Sequence, residues 1–147
     1  MITWVNKTID SLERFKQDIP LIISETIKNN EEIVLEYVSE DQLYERGVDG
    51  KENFIADSEP YSPITISIKR EKGQPTSRVT LRDSGDFHES FFIEYTAEGF
   101  EIRASDYKFG DLVSQYGEAI MALTDENLQD LLRNYILPDL LQKIRKI

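Results

Sequence analysis

Val5, Ile9, Leu12, Phe15 and Ile19 recur at steps of four, three, three and four, so they share one helical face with Lys7, Asp10, Glu13 and Lys16 largely opposite. That spacing predicts an amphipathic N-terminal helix. Pro20 cannot donate to the preceding turn, so this helix is expected to stop near Asp18, which then caps a second helix with Pro20 in its first turn. In the second segment Ile23, Ile27, Val34 and Val38 form a stripe with Tyr37 and Tyr44 beside it, and Asn29-Asn30 is a place to break or bend. Gly47 tolerates the left-handed conformation that ends a helix after Arg46, and Asp49-Gly50 reads as a turn.

The pattern then changes. Residues 47–90 are polar and carry Pro60, Pro63 and Pro75. Ile64-Thr65-Ile66-Ser67-Ile68 alternates like a strand, yet Ser62-Pro63 before it is a good cap and first position for a helix, so both readings stand. Phe91, Ile93 and Tyr95 alternate, Phe100 and Ile102 return, and Ala97-Glu98-Gly99 supplies a short loop, which predicts a hairpin near 91–104. A short helix is expected near Asp111–Tyr116, stopping at Gly117. A long last helix begins after Thr124 with Leu128, Leu131, Leu132, Tyr135, Leu140, Leu141 and Ile144 as its apolar set, kinked at Pro138 where the bond to Asn134 is lost. Helices on either side of an antiparallel sheet predict an α+β fold, with the two terminal helices packed on one sheet face. The expected organisation is a single domain over 1–147: a helical region 1–46, an irregular arm and turn 47–90, and a hairpin plus C-terminal helices 91–147.

Size agrees with one domain, since 147 residues and 17.1 kDa correspond to a folded surface of about 7,800 Å² against about 25,000 Å² unfolded. The absence of cysteine removes disulfides and thiolate chemistry, and a single histidine, His88, leaves only one candidate base for a triad. The net charge of −11 argues against a general nucleic-acid binder or an anionic membrane as partner. No apolar run approaches the length of a membrane span, and charges come too early for a signal peptide, so a soluble cytoplasmic product is expected. Charge is uneven: residues 1–60 hold 6 basic and 14 acidic groups, residues 61–147 hold 11 and 14.

Two clusters invite chemistry. Asp83-Ser84-Gly85-Asp86-Phe87-His88-Glu89-Ser90 gathers three carboxylates, the histidine and two hydroxyls, but it lacks a G-x-S-x-G elbow, an oxyanion hole and metal-ligand spacing. A fold-defining turn at Asp83, Ser84 and Gly85 accounts for it better, with Asp86 accepting from the amides of His88 and Glu89 and Phe87 anchored in the core. Lys69, Arg70, Lys72, Arg78 and Arg82 make a basic stretch without aromatic residues between Tyr61 and Phe87, which reads as a solvated arm or a candidate interface for the acidic helices of a neighbour. No catalytic residues, cofactor or metal follow from the residues themselves.

Several segments taken in order resemble one family. Gln42-Leu43-Tyr44-Glu45-Arg46-Gly47 is followed by Tyr61-Ser62-Pro63-Ile64-Thr65 leading to Lys69, and then by Val79-Thr80-Leu81-Arg82-Asp83-Ser84-Gly85-Asp86-Phe87-His88-Glu89-Ser90-Phe91. Leu112-Val113-Ser114-Gln115-Tyr116-Gly117 comes next, and then Ile120-Met121-Ala122-Leu123-Thr124-Asp125-Glu126-Asn127-Leu128. In this order they resemble the tail-completion or neck proteins of tailed bacteriophages, the virion morphogenesis proteins. Ser84 stands where that family usually has Thr, and Met121-Ala122 where it has an aromatic residue and glycine. The resemblance implies a structural subunit, one of several copies in a ring, with other neck, portal-side or tail proteins as partners. It implies no enzyme activity, no cofactor, no membrane and no specific nucleic acid, although DNA would pass a lumen; its places would be the virion and, during assembly, the host cytoplasm. The alternative is an acidic inhibitor or immunity-type module that docks on a basic partner protein, which fits the charge but not the motif order.

Overall fold

A computed structural model describes residues 3–56 and 62–146. The first helix, α1 (Thr3–Asn29), is continuous and runs through Pro20. The expected stop near Asp18 and the cap there are therefore corrected. Pro20 and Lys16 are both exposed, so the Lys16 carbonyl that loses its amide partner faces solvent and the helix tolerates the loss. The break falls at Asn30, between α1 and α2 (Glu31–Glu36). The chain then widens into a π-helical segment, Tyr37–Arg46, closed by Gly47 at φ +62°. With its wider turn this segment buries Val38, Ser39, Gln42 and Leu43 on one side.

Beyond Gly47 the chain makes the Asp49-Gly50 turn, in which the Asp49 carboxylate accepts from the amides of Lys51 and Asn53. Tyr61 and Pro60, named above, lie outside the described residues. The open choice at 64–68 resolves as helix α3 (Pro63–Glu71), whose first turn is capped by the Ser62 hydroxyl accepting from Thr65. After α4 (Asp86–Glu89) comes the hairpin, β1 (Phe91–Thr96) and β2 (Gly99–Ala104), paired antiparallel with Ile93 opposite Ile102. Phe91, Ile93, Ile102 and Ala104 are buried and alternate with exposed residues, as the sequence predicts. Helix α5 (Phe109–Tyr116) stops at Gly117, and Thr124 caps α6 (Asp125–Leu131) by accepting from Asn127. A π-helical turn, Leu132–Ile136, then leads into α7 (Leu137–Ile144). Mixed helix and sheet with helices at both ends of the chain make this an α+β fold.

The core joins Ile27, Val34, Val38 and Leu43 to the hairpin and to Ile120, Leu131 and Ile136. Two expectations about the terminal helices need correction. Of the expected apolar set Leu131 is buried and Tyr135 and Leu140 are half-buried, but Leu128, Leu132, Leu141 and Ile144 are exposed, and the π turn brings Ile136, outside that set, into the core. The stripe of Val5, Ile9, Leu12, Phe15 and Ile19 is amphipathic as expected, yet no residue of α1 before Ile22 is buried. The chain from Thr26, near the end of α1, to Tyr37 runs antiparallel to the C-terminal helix, since Tyr37 bonds Asp130 and the Thr26 hydroxyl donates to Asp139 at 2.6 Å. Continuing that register puts Lys146 near Ile19, which leaves residues 3–18, about 24 Å of helix, standing beyond it. The accessible surface is 9853 Å², above the roughly 7,800 Å² that a monomer of this mass ordinarily shows.

Candidate functional site

The basic stretch was the foremost candidate, and the structure disperses its charges. Lys69 on α3 is buried, with Nζ donating to the Arg82 carbonyl at 3.2 Å and to Gln74 Oε1 at 3.5 Å; desolvation pulls its pKa down. Lys72 is paired with Asp83, whose carboxyl is held low chiefly by that hydrogen bond. Arg78 Nε donates to the Tyr44 carbonyl at 2.7 Å. Arg82 Nη2 donates to Glu40 Oε1 at 2.6 Å while its guanidinium lies 4.0 Å from the centre of the Tyr44 ring. Arg70 is exposed on α3. Four of the five cations thus hold the 62–83 segment to itself or to the acidic π-helical segment of the same chain.

The Asp83, Ser84, Gly85 turn carries the chain into α4. Gly85 takes φ +95°, a left-handed conformation that a side chain resists. The expected bonds from Asp86 to the amides of His88 and Glu89 are replaced: the Ser84 hydroxyl accepts from the Asp86 amide at 3.3 Å, and the Gly85 carbonyl accepts from Glu89. The tight turn brings the Ser84 hydroxyl, two residues before Asp86, against the first amide of α4. Phe87 is buried, as the sequence predicts, with its ring edge-on to Phe91 at 5.0 Å. Leu81 just upstream adopts φ +56°, an uncommon conformation for a leucine that no sequence signal announces.

His88 is buried with both ring nitrogens engaged. Arg82 can only donate, so Nδ1 accepts from its Nη2 at 3.1 Å, and Nε2 carries the proton that it donates to the Thr80 carbonyl at 2.9 Å. Burial, reinforced by the Arg82 charge, lowers its pKa to about 4. The ring is a neutral brace between the Thr80–Arg82 segment and the core. Ser90, from the same cluster, donates to the Phe87 carbonyl at 2.8 Å and accepts from the Asp106 amide. Among the described residues no group of three or more histidine, aspartate or glutamate side chains is placed to hold a metal ion, and no helix is long and apolar enough to cross a membrane.

One residue outside those clusters ties the chain together. Gln42 is 0% exposed, its Nε2 donates to the Ala122 carbonyl at 2.8 Å, and its Oε1 accepts from the Thr124 amide at 3.0 Å and from Asn127 Nδ2 at 2.9 Å. Its own carbonyl accepts from the Val48 amide. The polar residue in an apolar stripe was the available signal. Fold and site together define an α+β domain whose polar residues brace one another across long sequence distances. Comparisons with protein-family models, curated proteins and solved structures return no match.

Proposed function

We propose that this protein is a structural subunit of the head–tail neck or tail-completion assembly of a tailed bacteriophage, working in a ring of its own copies beside portal-side or tail proteins. The observation that carries the reading is the motif order together with the meeting of its parts. Gln42, in the first motif, bonds Ala122, Thr124 and Asn127 in the last, and Arg82, in the central motif, lies over Tyr44 in the first. Motifs that brace one another are what a fold-defining signature requires, and a subunit needs surfaces more than a catalytic pocket. The roles of His88 and of the Asp83–Gly85 turn as braces are in keeping with this. A net charge of −11 lets DNA pass a lumen without adhering.

The test is genetic. A nonsense allele in the phage that encodes the chain should accumulate heads and tails that fail to join, or particles with defective tail ends, and mass spectrometry of wild-type virions should find the polypeptide. Normal infectious particles lacking it would remove the assembly role and leave an acidic binding module as the better description.

A further inference from the structure

We propose that copies of this chain join head to tail, the projecting first half of α1 from one copy lying in a surface trough of the next. This names the self-contact of the assembly proposed above and rests on that reading. The projecting half supplies one surface: residues 3–18 stand beyond the described part of the C-terminal helix, with Ile9 and Leu12 exposed and Trp4 73% exposed. Their apolar face continues the one that carries Ile22 and Thr26 against α7, where it is buried. The trough supplies the other. It has a volume of about 1210 Å³ between β2, α5 and the segment from Gly117 to Leu123; Phe109, Val113, Leu123 and Leu128 supply apolar patches, and about half of its exposed lining is polar. An amphipathic helix that lays its apolar side on such patches and its polar side along the rim is a form of helix-in-groove recognition.

Three observations make a second copy the occupant. α1 is one continuous helix, so its first sixteen residues cannot turn back into the trough of their own chain. Charge selects the same two surfaces. Two bodies of net charge −11 repel, but residues 3–19 hold three basic and three acidic groups, and the trough is rimmed by Asp49, Lys51, Glu101, Arg103 and Glu118, close to balance. These are patches where copies approach with little added repulsion. The exposed surface of the single chain also exceeds that of an ordinary monomer by roughly 2,000 Å². A strip of helix about 24 Å by about 10 Å covers a few hundred Å², less than the roughly 800 Å² per partner of a standard interface. One contact is therefore weak. Because arm and trough are different faces, the contact is heterologous and repeats from copy to copy, which permits a ring.

The chain has no cysteine, so cross-linking reads the contact directly. The full chain carrying Leu12→Cys and Leu128→Cys, both at exposed positions, is treated with a short bismaleimide at high protein concentration. The expected result is a ladder of dimers, trimers and higher species, absent from either single variant and lost when Phe15→Asp is added. Circular dichroism confirms that each variant is folded. A dimer from Leu12→Cys alone would overturn the inference in favour of two arms meeting each other. An equal ladder from Leu12→Cys with Arg70→Cys, a position outside the trough, or no cross-linked species at all, would overturn it too. Either failure leaves the nonsense-allele result standing, whereas normal particles without the polypeptide defeat the assembly role whatever the cross-links show.

Discussion

Replacing Gln42 by methionine keeps the side-chain volume and removes every hydrogen bond the amide makes, so it isolates the polar link between the π-helical segment and the start of α6. The three partners fare differently. Ala122 is exposed, and its carbonyl can turn to water; Asn127 Nδ2 keeps a bond of 3.0 Å to Asp41 Oδ2. The Thr124 amide, bonded to Gln42 Oε1 in a buried setting, is left with no acceptor that the structure provides. An orphaned buried amide costs about 1–3 kcal/mol, and each of the other two bonds contributes about 0.5–1.5 kcal/mol net. A loss of about 2–6 kcal/mol is expected, a large share of the roughly 5–15 kcal/mol that holds an ordinary domain. Urea unfolding followed by circular dichroism at 222 nm measures it; Trp4, being exposed, is a poor reporter. Gln42→Glu adds a check of sign. Its second oxygen faces the Ala122 carbonyl, so the folded state raises the carboxyl's pKa and the variant should regain stability relative to wild type as pH falls. A loss under about 1 kcal/mol for the methionine variant, with an unchanged slope in urea, would refute the claim that this amide fastens the two motifs.

Gly47→Ala should cost more than about 2 kcal/mol, because φ is +62° and a Cβ there would stand 2.8 Å from Arg78 Cβ and 3.0 Å from the Val79 carbonyl; thermal unfolding reads the effect. Ile93→Ala and Ile102→Ala face each other across the hairpin in the core, and each should lose about 2–5 kcal/mol in urea titrations, less than additively when combined. His88 has a folded pKa of about 4 against about 6.5 when unfolded, so the unfolded chain binds the extra proton between these values. Stability from this group is full above pH 6.5 and falls as pH drops toward 4, by at most about 3 kcal/mol, and NMR of the imidazole should find it still neutral at pH 5. Arg82→Met removes one cause of the lowering and should move that midpoint upward.

What the sequence made legible was chemistry confined to a few neighbouring residues. Gly47 and Gly117 end their helices, Ser62 and Thr124 begin theirs, and alternation from Phe91 to Ile102 sets the hairpin, because each depends on a turn or a pleat of the local backbone. Burial was less legible. The Val5–Ile19 spacing says that one face is apolar and does not say what covers it. Pro20 misled: its ring removes one hydrogen bond and crowds the Lys16 carbonyl, but both residues are exposed, where water can meet that carbonyl and the helix can bend enough to continue. Leu131 is buried as its spacing suggests, but the π turn at Leu132–Ile136 brings Ile136 into the core five residues later, a step that a period of 3.6 does not anticipate. The candidate interface failed to appear as a free basic face for a reason of the same kind: Arg82 finds Glu40 forty-two residues away, and no local pattern shows that meeting.

That capture of the cations within the chain reverses an electrostatic expectation. If copies met through an acidic 1–60 surface and a free basic arm, added salt would screen the attraction and loosen the contact. Arg78 and Arg82 are instead turned onto Tyr44 and Glu40 of their own chain, and the acidic excess lies from Glu25 to Glu52 rather than on the first nineteen residues. What remains between two such bodies is chiefly repulsion, together with apolar burial wherever the near-neutral surfaces touch. Repulsion between exposed charges is screened over about 10 Å at 0.1 M salt, while apolar burial is not weakened by screening. Association through arm and trough should therefore strengthen as ionic strength rises, and sedimentation at low and high salt separates it from a charge-matched contact, which would move the other way.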